Sequence, residues 1–214
     1  MFTGIVAAVG NISAIEALGV AGADNGLRLR ITSGGLGLDD VALGDSIAIQ
    51  GACMTVVALE SDEFCVDISR ESLNRTAGLD HIGPVNLEKA MRLSDRIGGH
   101  LVSGHVDGLG RVTRFEPVGE SWLLTVATER SIARYLAYKG SITVNGVSLT
   151  VNDVTDGADR CEFSVNLIPH TVAMTTLNRL TVGAAVNLEI DLIARYVARM
   201  LGQAGNPDTL DIER

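Results

Sequence analysis

Basic residues are scarce in this chain: 17 Lys and Arg stand against 26 Asp and Glu, a formal net charge of −9 over 214 residues. A nucleic-acid partner would want a positive surface to displace phosphate counterions, so that class is set aside. Long apolar runs are missing as well; none approaches the ~18–20 residues that a membrane span needs. The opening MFTGIVAAVG has no basic region ahead of a long apolar one, so it does not read as a secretory signal. Cysteine is limited to Cys53, Cys65 and Cys161, an odd number without paired spacing. That argues against a disulfide framework or a zinc cluster and for a reducing cytoplasm. Strand–helix–strand spacing is absent, so a parallel sheet is not favoured. The glycine-rich GGLGLDD at 34–40 lacks the strand before and helix after that a dinucleotide loop requires, and reads as a turn.

What remains is an ordered, core-forming composition, 46% hydrophobic and 20% charged, in a length that suits one large or two small domains. Self-similarity decides between them. MFTGIVAAVGNI at 1–12 lies over LVSGHVDGLGRV at 101–112, matching Thr3 to Ser103, Gly4 to Gly104, Val6 to Val106 and Gly10 to Gly110. SIAIQGACMTVV at 46–57 lies over SITVNGVSLTVN at 141–152, and FCVDISRESLNRT at 64–76 over FSVNLIPHTVAMT at 163–175. VNLEKA at 85–90 lies over VNLEID at 186–191. Four blocks in one order mark a tandem duplication.

Each unit reads as strands. SIAIQGACMTVV alternates with period two, and short apolar runs recur between turn signals at DNG (24–26), SGGLG (33–37), NG (145–146) and TDGAD (155–159). Many short strands in a unit of this size predict a small closed antiparallel barrel, which leaves no edge exposed. The polar segment MRLSDRIG at 91–98 is the expected boundary, giving units 1–97 and 98–188 and a distinct ending, 189–214. There Leu192, Ile193, Tyr196, Val197, Met200 and Leu201 share a helical stripe, with Asp191 ahead and Arg195, Arg199 and Gly202 behind. Such a stripe packs either on its own domain or on a neighbour, and this one belongs to neither repeat.

Two of the four histidines, His100 and His105, stand in the glycine-rich IGGHLVSGHVDG at 97–108. Two histidines without a third ligand do not make a metal site. By the repeat, His105 replaces Ile5 and His100 has no counterpart, so both are asymmetric features of the second unit. His81, in the turn DHIG, reads as a surface residue.

MFTGIV, GGHLVSGHVDG, YKGSITVNGVSLTV (138–151), NLIPHT (166–171) and VNLEID together resemble the riboflavin synthase family of the α type, over roughly residues 1–200. The resemblance implies two tandem six-stranded Greek-key antiparallel barrels followed by a C-terminal helix, an all-β fold in class. It implies a transferase, the last step of riboflavin biosynthesis, in which two molecules of 6,7-dimethyl-8-ribityllumazine dismutate by transfer of a four-carbon unit. The products are riboflavin and 5-amino-6-ribitylaminopyrimidinedione, formed without metal, flavin or nicotinamide. It further implies a homotrimer held by the C-terminal helices; association with lumazine synthase stays open. A reaction between two identical molecules gains from two similar facing pockets, which a duplication supplies.

Carried over residue by residue, the resemblance implies substrate contacts at Gly4, Ile5 and Val6 and at Gly104, His105 and Val106. It implies others at Ser46, Cys53, Met54 and Thr55, with Ser148, Leu149 and Thr150 as counterparts, and at Lys139. The second segments are Asp67, Ile68, Ser69, Arg70, Glu71 and Ser72, matched by Leu167, Ile168, Pro169, His170, Thr171 and Val172. Catalytic roles are implied for Cys53, Ser148, His100, His105, Asp191 and Phe2. Imidazole titrates in the range needed to take a proton from the acidic C7 methyl. A thiol at Cys53 opposite a hydroxyl at Ser148 makes the two sites chemically unequal, although a free cysteine is more often a small buried hydrophobe. Thr55 and Thr150 also read simply as strand formers, Lys139 as a solvated lysine, and Asp191 as a helix cap. Residues 1–6, 46–57 and 64–76 read as one complete set, so the N-terminal half is expected to bind ligand alone. Gln50 departs from the family's asparagine before glycine, which puts any contact from that side chain in question; Asn145-Gly146 keeps it. The rival readings are a two-barrel lumazine- or flavin-binding protein without chemistry, and the flavin barrel of a reductase, for which no nicotinamide domain follows.

Overall fold

The computed structural model describes residues 1–19 and 25–202. Asp24 of the expected DNG turn and residues 203–214 of the expected tail lie outside the described residues. The first repeat forms β1 (Ala8–Ala17), β2 (Leu27–Thr32), β3 (Ser46–Ile49), β4 (Ala52–Leu59), β5 (Glu63–Ile68), a short helix α1 (Arg70–Arg75) and β6 (Gly83–Lys89). The second forms β7 (Gly108–Val118), β8 (Ser121–Glu129), α2 (Arg130–Ala133), β9 (Ser141–Val144), β10 (Val147–Asp156), β11 (Arg160–Leu167), α3 (Pro169–Met174), a 3-10 turn (Thr176–Arg179) and β12 (Ala185–Ile190). Helix α4 (Leu192–Met200) follows.

Each repeat closes into a six-stranded antiparallel barrel, ordered β1-β2-β5-β4-β3-β6 and, identically, β7-β8-β11-β10-β9-β12. The step from β2 to β5, skipping β3 and β4, is the Greek-key crossing. Closure is helped by bulges at matching places: register slips between Ile12 and Ala14 and between Val56 and Ala58, and again between Val112 and Arg114 and between Val151 and Asp153.

Period-two patterning fixes which side chains fill each barrel. On β4, Ala52, Met54 and Val56 turn inward while Cys53 and Thr55 turn out; on β10, Val147, Leu149 and Val151 turn inward while Ser148 and Thr150 turn out. The interiors are solid, around Ile12, Leu29, Ile47, Phe64 and Leu87 in one barrel and Val112, Leu124, Ile142, Phe163 and Leu188 in the other. Any ligand site therefore lies on the outer walls, where the candidate residues point.

The barrels meet about a pseudo-twofold axis. Phe2 and Val102 exchange backbone hydrogen bonds (2.8 and 3.0 Å) and, with Ala48, form a small buried cluster between the barrels. Gln50-Gly51 (φ 53° and 88°) and Asn145-Gly146 (51° and 79°) each make a hairpin turn with two left-handed residues. The tips touch so closely that a Cβ on Gly51 would sit 2.7 Å from the Gly146 amide. Asn86 Nδ2 donates across the interface to the Asn145 carbonyl (2.9 Å), and Asn187 Nδ2 donates to the Gln50 carbonyl (2.9 Å). Gln50 Oε1 accepts the Asn86 N–H at 2.9 Å as Asn145 Oδ1 accepts that of Asn187 at 2.8 Å. The departure at position 50 thus keeps the turn and its bond.

Helix α4 is capped by Asp191, whose carboxylate accepts the Ile193 N–H (2.9 Å), and is tied down by Arg195 to Asp107 (2.6 Å). Only Ala198 is buried; Ile193, Tyr196, Val197, Met200 and Leu201 all face outward. Of the two settings expected for the stripe, packing on its own domain is not the one observed.

Candidate active site

The barrels exchange their leading segments. Ser148 N–H on β10 donates to the Gly4 carbonyl (2.7 Å), and Val6 packs on the second barrel's core. In mirror image, Cys53 N–H on β4 donates to the Gly104 carbonyl (2.7 Å), and Val106 packs on the first core. Contact is close enough that only glycine fits: a Cβ at Gly4 would lie 2.6 Å from the Ser148 Cβ, and one at Gly104 2.6 Å from the Cys53 Cβ, both at positive φ. Residues 1–6 therefore do not complete a set with 46–57 and 64–76, as the sequence comparison suggested. The walls are composite: Cys53 and Thr55 with Gly104, His105 and Val106, and Ser148 and Thr150 with Gly4, Ile5 and Val6. Periodicity and repeat alignment carry no information about such a swap.

The second wall holds an extra group. His100 Nδ1 lies 2.8 Å from Ser148 Oγ, while Nε2 is buried and makes no hydrogen bond. The His100 N–H holds the Thr3 carbonyl (3.1 Å). Burial lowers the imidazole's pKa below its usual 6.5, partly opposed by the charge of Asp191. His100 is thus kept in its neutral form, able to take a proton and paired with a hydroxyl. Among the described residues no imidazole hydrogen-bonds Cys53 on the first wall as His100 does Ser148 on the second. His105 is exposed in the glycine-bounded segment that serves the first wall.

The second segments divide by direction. Ile68 and Leu167 are buried in the cores, as are Met54 and Leu149, so their side chains are structural and only their backbones are available to a ligand. Asp67 pairs with Arg28 on the barrel exterior (2.7 Å), which lowers its pKa through that hydrogen bond. Arg70 donates to the Asn25 carbonyl (2.7 Å), and Glu71 pairs with Arg75 along α1. Ser69 caps α1 by accepting the Ser72 N–H (3.1 Å), and Pro169 starts α3. Both blocks continue past their strands as short helices for this reason. Ile168 and His170 are exposed, Val172 packs on the second core, and the Thr171 carbonyl accepts from Thr175 Oγ1. Ser46 pairs with Thr55 across β3 and β4. Lys139, left-handed at φ 63°, is exposed and reaches Asn152 beside Thr150 (3.1 Å). Phe2 is fully buried between the barrels, a packing residue of their interface rather than an open stacking face. His81 is exposed and pairs with Asp80.

Two residues escaped the sequence reading. Glu88 accepts the Thr3 N–H and Oγ1–H (both 2.7 Å) and the Gly4 N–H (3.0 Å). Glu189 accepts the Ser103 N–H (2.6 Å) and Oγ–H (2.7 Å) and the Gly104 N–H (2.9 Å). Burial raises both carboxyl pKa values, opposed by these hydrogen bonds. Their signal was the acidic residue shared by both VNLE blocks. Among the described residues no group of three or more His, Cys, Asp or Glu side chains gathers as a metal site would, and no helix is long and apolar enough to cross a membrane.

Residues 3–90 and 103–191 each match the lumazine binding domain. Two such domains in tandem, with composite walls at their junction, define the class. Riboflavin synthases from several bacteria are similar over almost the whole length. The protein of Photobacterium phosphoreum is 45% identical over 203 residues, covering 94% of this chain and 89% of that one. The protein of Mycobacterium tuberculosis (strain ATCC 25618 / H37Rv) is 44% identical over 211 residues, covering 96% and 100%. That of Bacillus subtilis (strain 168) is 39% identical over 211 residues, covering 98% and 94%. The chain belongs to the riboflavin synthase family. Crystal structures of LumP are also similar, complexed with riboflavin (TM-score 0.77) and with 6,7-dimethyl-8-(1'-D-ribityl) lumazine (0.75); each is 25% identical and covers 89% of this chain and 99% of that one.

Proposed function

We propose that this chain is a transferase that dismutates two molecules of 6,7-dimethyl-8-ribityllumazine, moving a four-carbon unit from one to the other. The observation that carries this reading is the pair of composite walls, alike in backbone and unlike in chemistry. The wall at Ser148 pairs a hydroxyl with a partly buried imidazole, and the wall at Cys53 has a thiol where the hydroxyl stands. One ligand loses carbon atoms and the other gains them, so identical sites would be poorly matched to their tasks. Holding both molecules in position supplies much of the rate. His100, with Ser148, is suited to take a proton from the C7 methyl of a bound ligand, and His105 and Cys53 serve the other wall. Gly4 and Gly104 let the backbone approach a flat ring. Thr55, Thr150 and Lys139 offer hydrogen bonds to a neutral polyhydroxylated substrate, for which an acidic chain is no handicap.

The two units, 1–97 and 98–188, act as interlocked halves, with 189–214 left for assembly. The exposed stripe of α4, five large apolar side chains that nothing among the described residues covers, supports a homotrimer built on that helix. The three unpaired cysteines suit a cytoplasmic enzyme. The reading of a binder without chemistry is disfavoured: identity to synthases is 39–45% against 25% to LumP. Incubating the purified protein with ribityllumazine alone tests the proposal, with riboflavin formation expected, unaffected by chelators. Folded protein that binds the lumazine and forms no riboflavin would support the binder instead.

A further inference from the structure

Glu88 and Glu189 are almost fully buried, and each uses both carboxylate oxygens on one short segment. Resting on the functional reading above, we propose that they are positioning residues that act crosswise: Glu88 of the first barrel shapes the second barrel's ligand wall, and Glu189 of the second shapes the first's. Glu88, on β6, holds Thr3 and Gly4 through three donors. The atoms immediately beyond serve the other barrel, because the Gly4 carbonyl takes the Ser148 N–H and Val6 enters the second core. Glu189, on β12, holds Ser103 and Gly104 in the same way, and the Gly104 carbonyl takes the Cys53 N–H.

Geometry makes the carboxylate specific. All the bonded groups are donors, spread over two oxygens, so an amide of the same shape would turn its NH2 on an N–H. Gly4 and Gly104 are held at φ 74° and 80°, and each backs so closely on the other barrel that an added Cβ would lie 2.6 Å from the facing Cβ of Ser148 or Cys53. A shift of either segment therefore moves the floor of the opposite wall.

The test uses the full chain, with riboflavin as probe. Calorimetry counts the sites and crystals soaked in riboflavin show which wall is filled; the wild type is expected to bind on both. Wild-type protein that binds none would sink the functional reading and this inference with it, before any variant is made. In E88Q, affinity at the Ser148 wall should fall by about tenfold or more while the Cys53 wall changes by less than about twofold, and E189Q should show the reverse. Each variant weakening its own barrel's wall, or both walls equally, would overturn the proposal. If E88Q does not fold, T3A, which removes one of the three donors, should show a smaller loss on the Ser148 wall. Unchanged binding there in T3A would also overturn it.

Discussion

Replacing Asn86 by alanine would remove two hydrogen bonds at the join between the barrels. Asn86 is 2% exposed; its Nδ2 donates to the Asn145 carbonyl at 2.9 Å, and its Oδ1 accepts the Thr176 N–H at 2.7 Å. Truncation leaves both partners buried, and each orphaned group costs about 1–3 kcal/mol. The Asn86 N–H keeps its bond to Gln50 Oε1, so β6 itself stays in register. The expected loss is about 2–6 kcal/mol, a large share of the 5–15 typical of a domain. Guanidinium unfolding measures it with two probes: far-ultraviolet dichroism for the whole chain, and the single tryptophan, Trp122 on β8, for the second barrel. Because the mutated residue is in the first barrel, a tryptophan transition that moves with the dichroism shows that the barrels unfold as one unit. A loss below about 0.5 kcal/mol, typical of a surface site, or a tryptophan transition that stays put, would refute the view that these asparagines lock the barrels together.

Other consequences are as direct. Gly4→Ala places a Cβ against Ser148 at positive φ, and should abolish ligand binding on that wall while sparing the Cys53 wall, read by riboflavin titration. His100→Gln should flatten the acid sensitivity of stability. With the folded imidazole's pKa below 6.5, the unfolded chain binds the extra proton, so the wild type loses stability as pH falls through that value and the variant does not, as denaturation midpoints at pH 7.5 and 5.5 would show. Val197→Glu with Leu201→Glu should dissociate the proposed trimer, since burying such side chains contributes roughly 1.5–3 kcal/mol each before ordering costs; sedimentation and turnover should fall together, turnover much more than ligand binding. A fragment of residues 1–97 lacks Gly104 and Val106, so it should bind riboflavin only at concentrations where a second copy lends residues 2–6 in their place.

The fold was legible because barrels of this size are written in period two. Met54 and Leu149 alternate with Cys53, Thr55, Ser148 and Thr150, and the repeat blocks touch five of the six strands of each barrel, missing only β2 and β8. Helix α4 was legible from its stripe and its Asp191 cap. The site was legible only in part. The repeat alignment named Gly4 and Gly104 but assigned them to the wrong walls, because it compares each segment with its copy and says nothing of which barrel the segment crosses to. Ile68 and Leu167 were read as contacts, yet strand parity sends them inward. Glu88 and Glu189 were passed over because a lone glutamate in an apolar strand block reads as an outward residue; only the three donors gathered around each carboxylate show its use. Nor did the asymmetry of His100, visible as a residue without a counterpart, reveal its hydroxyl partner 48 positions away.

Product balance tests the central claim most directly. Purified protein supplied with ribityllumazine and nothing else should consume two molecules of it for each riboflavin formed, releasing one molecule of 5-amino-6-ribitylaminopyrimidinedione. Lumazine bound at both walls without consumption, or riboflavin formed without the pyrimidinedione, would contradict the account.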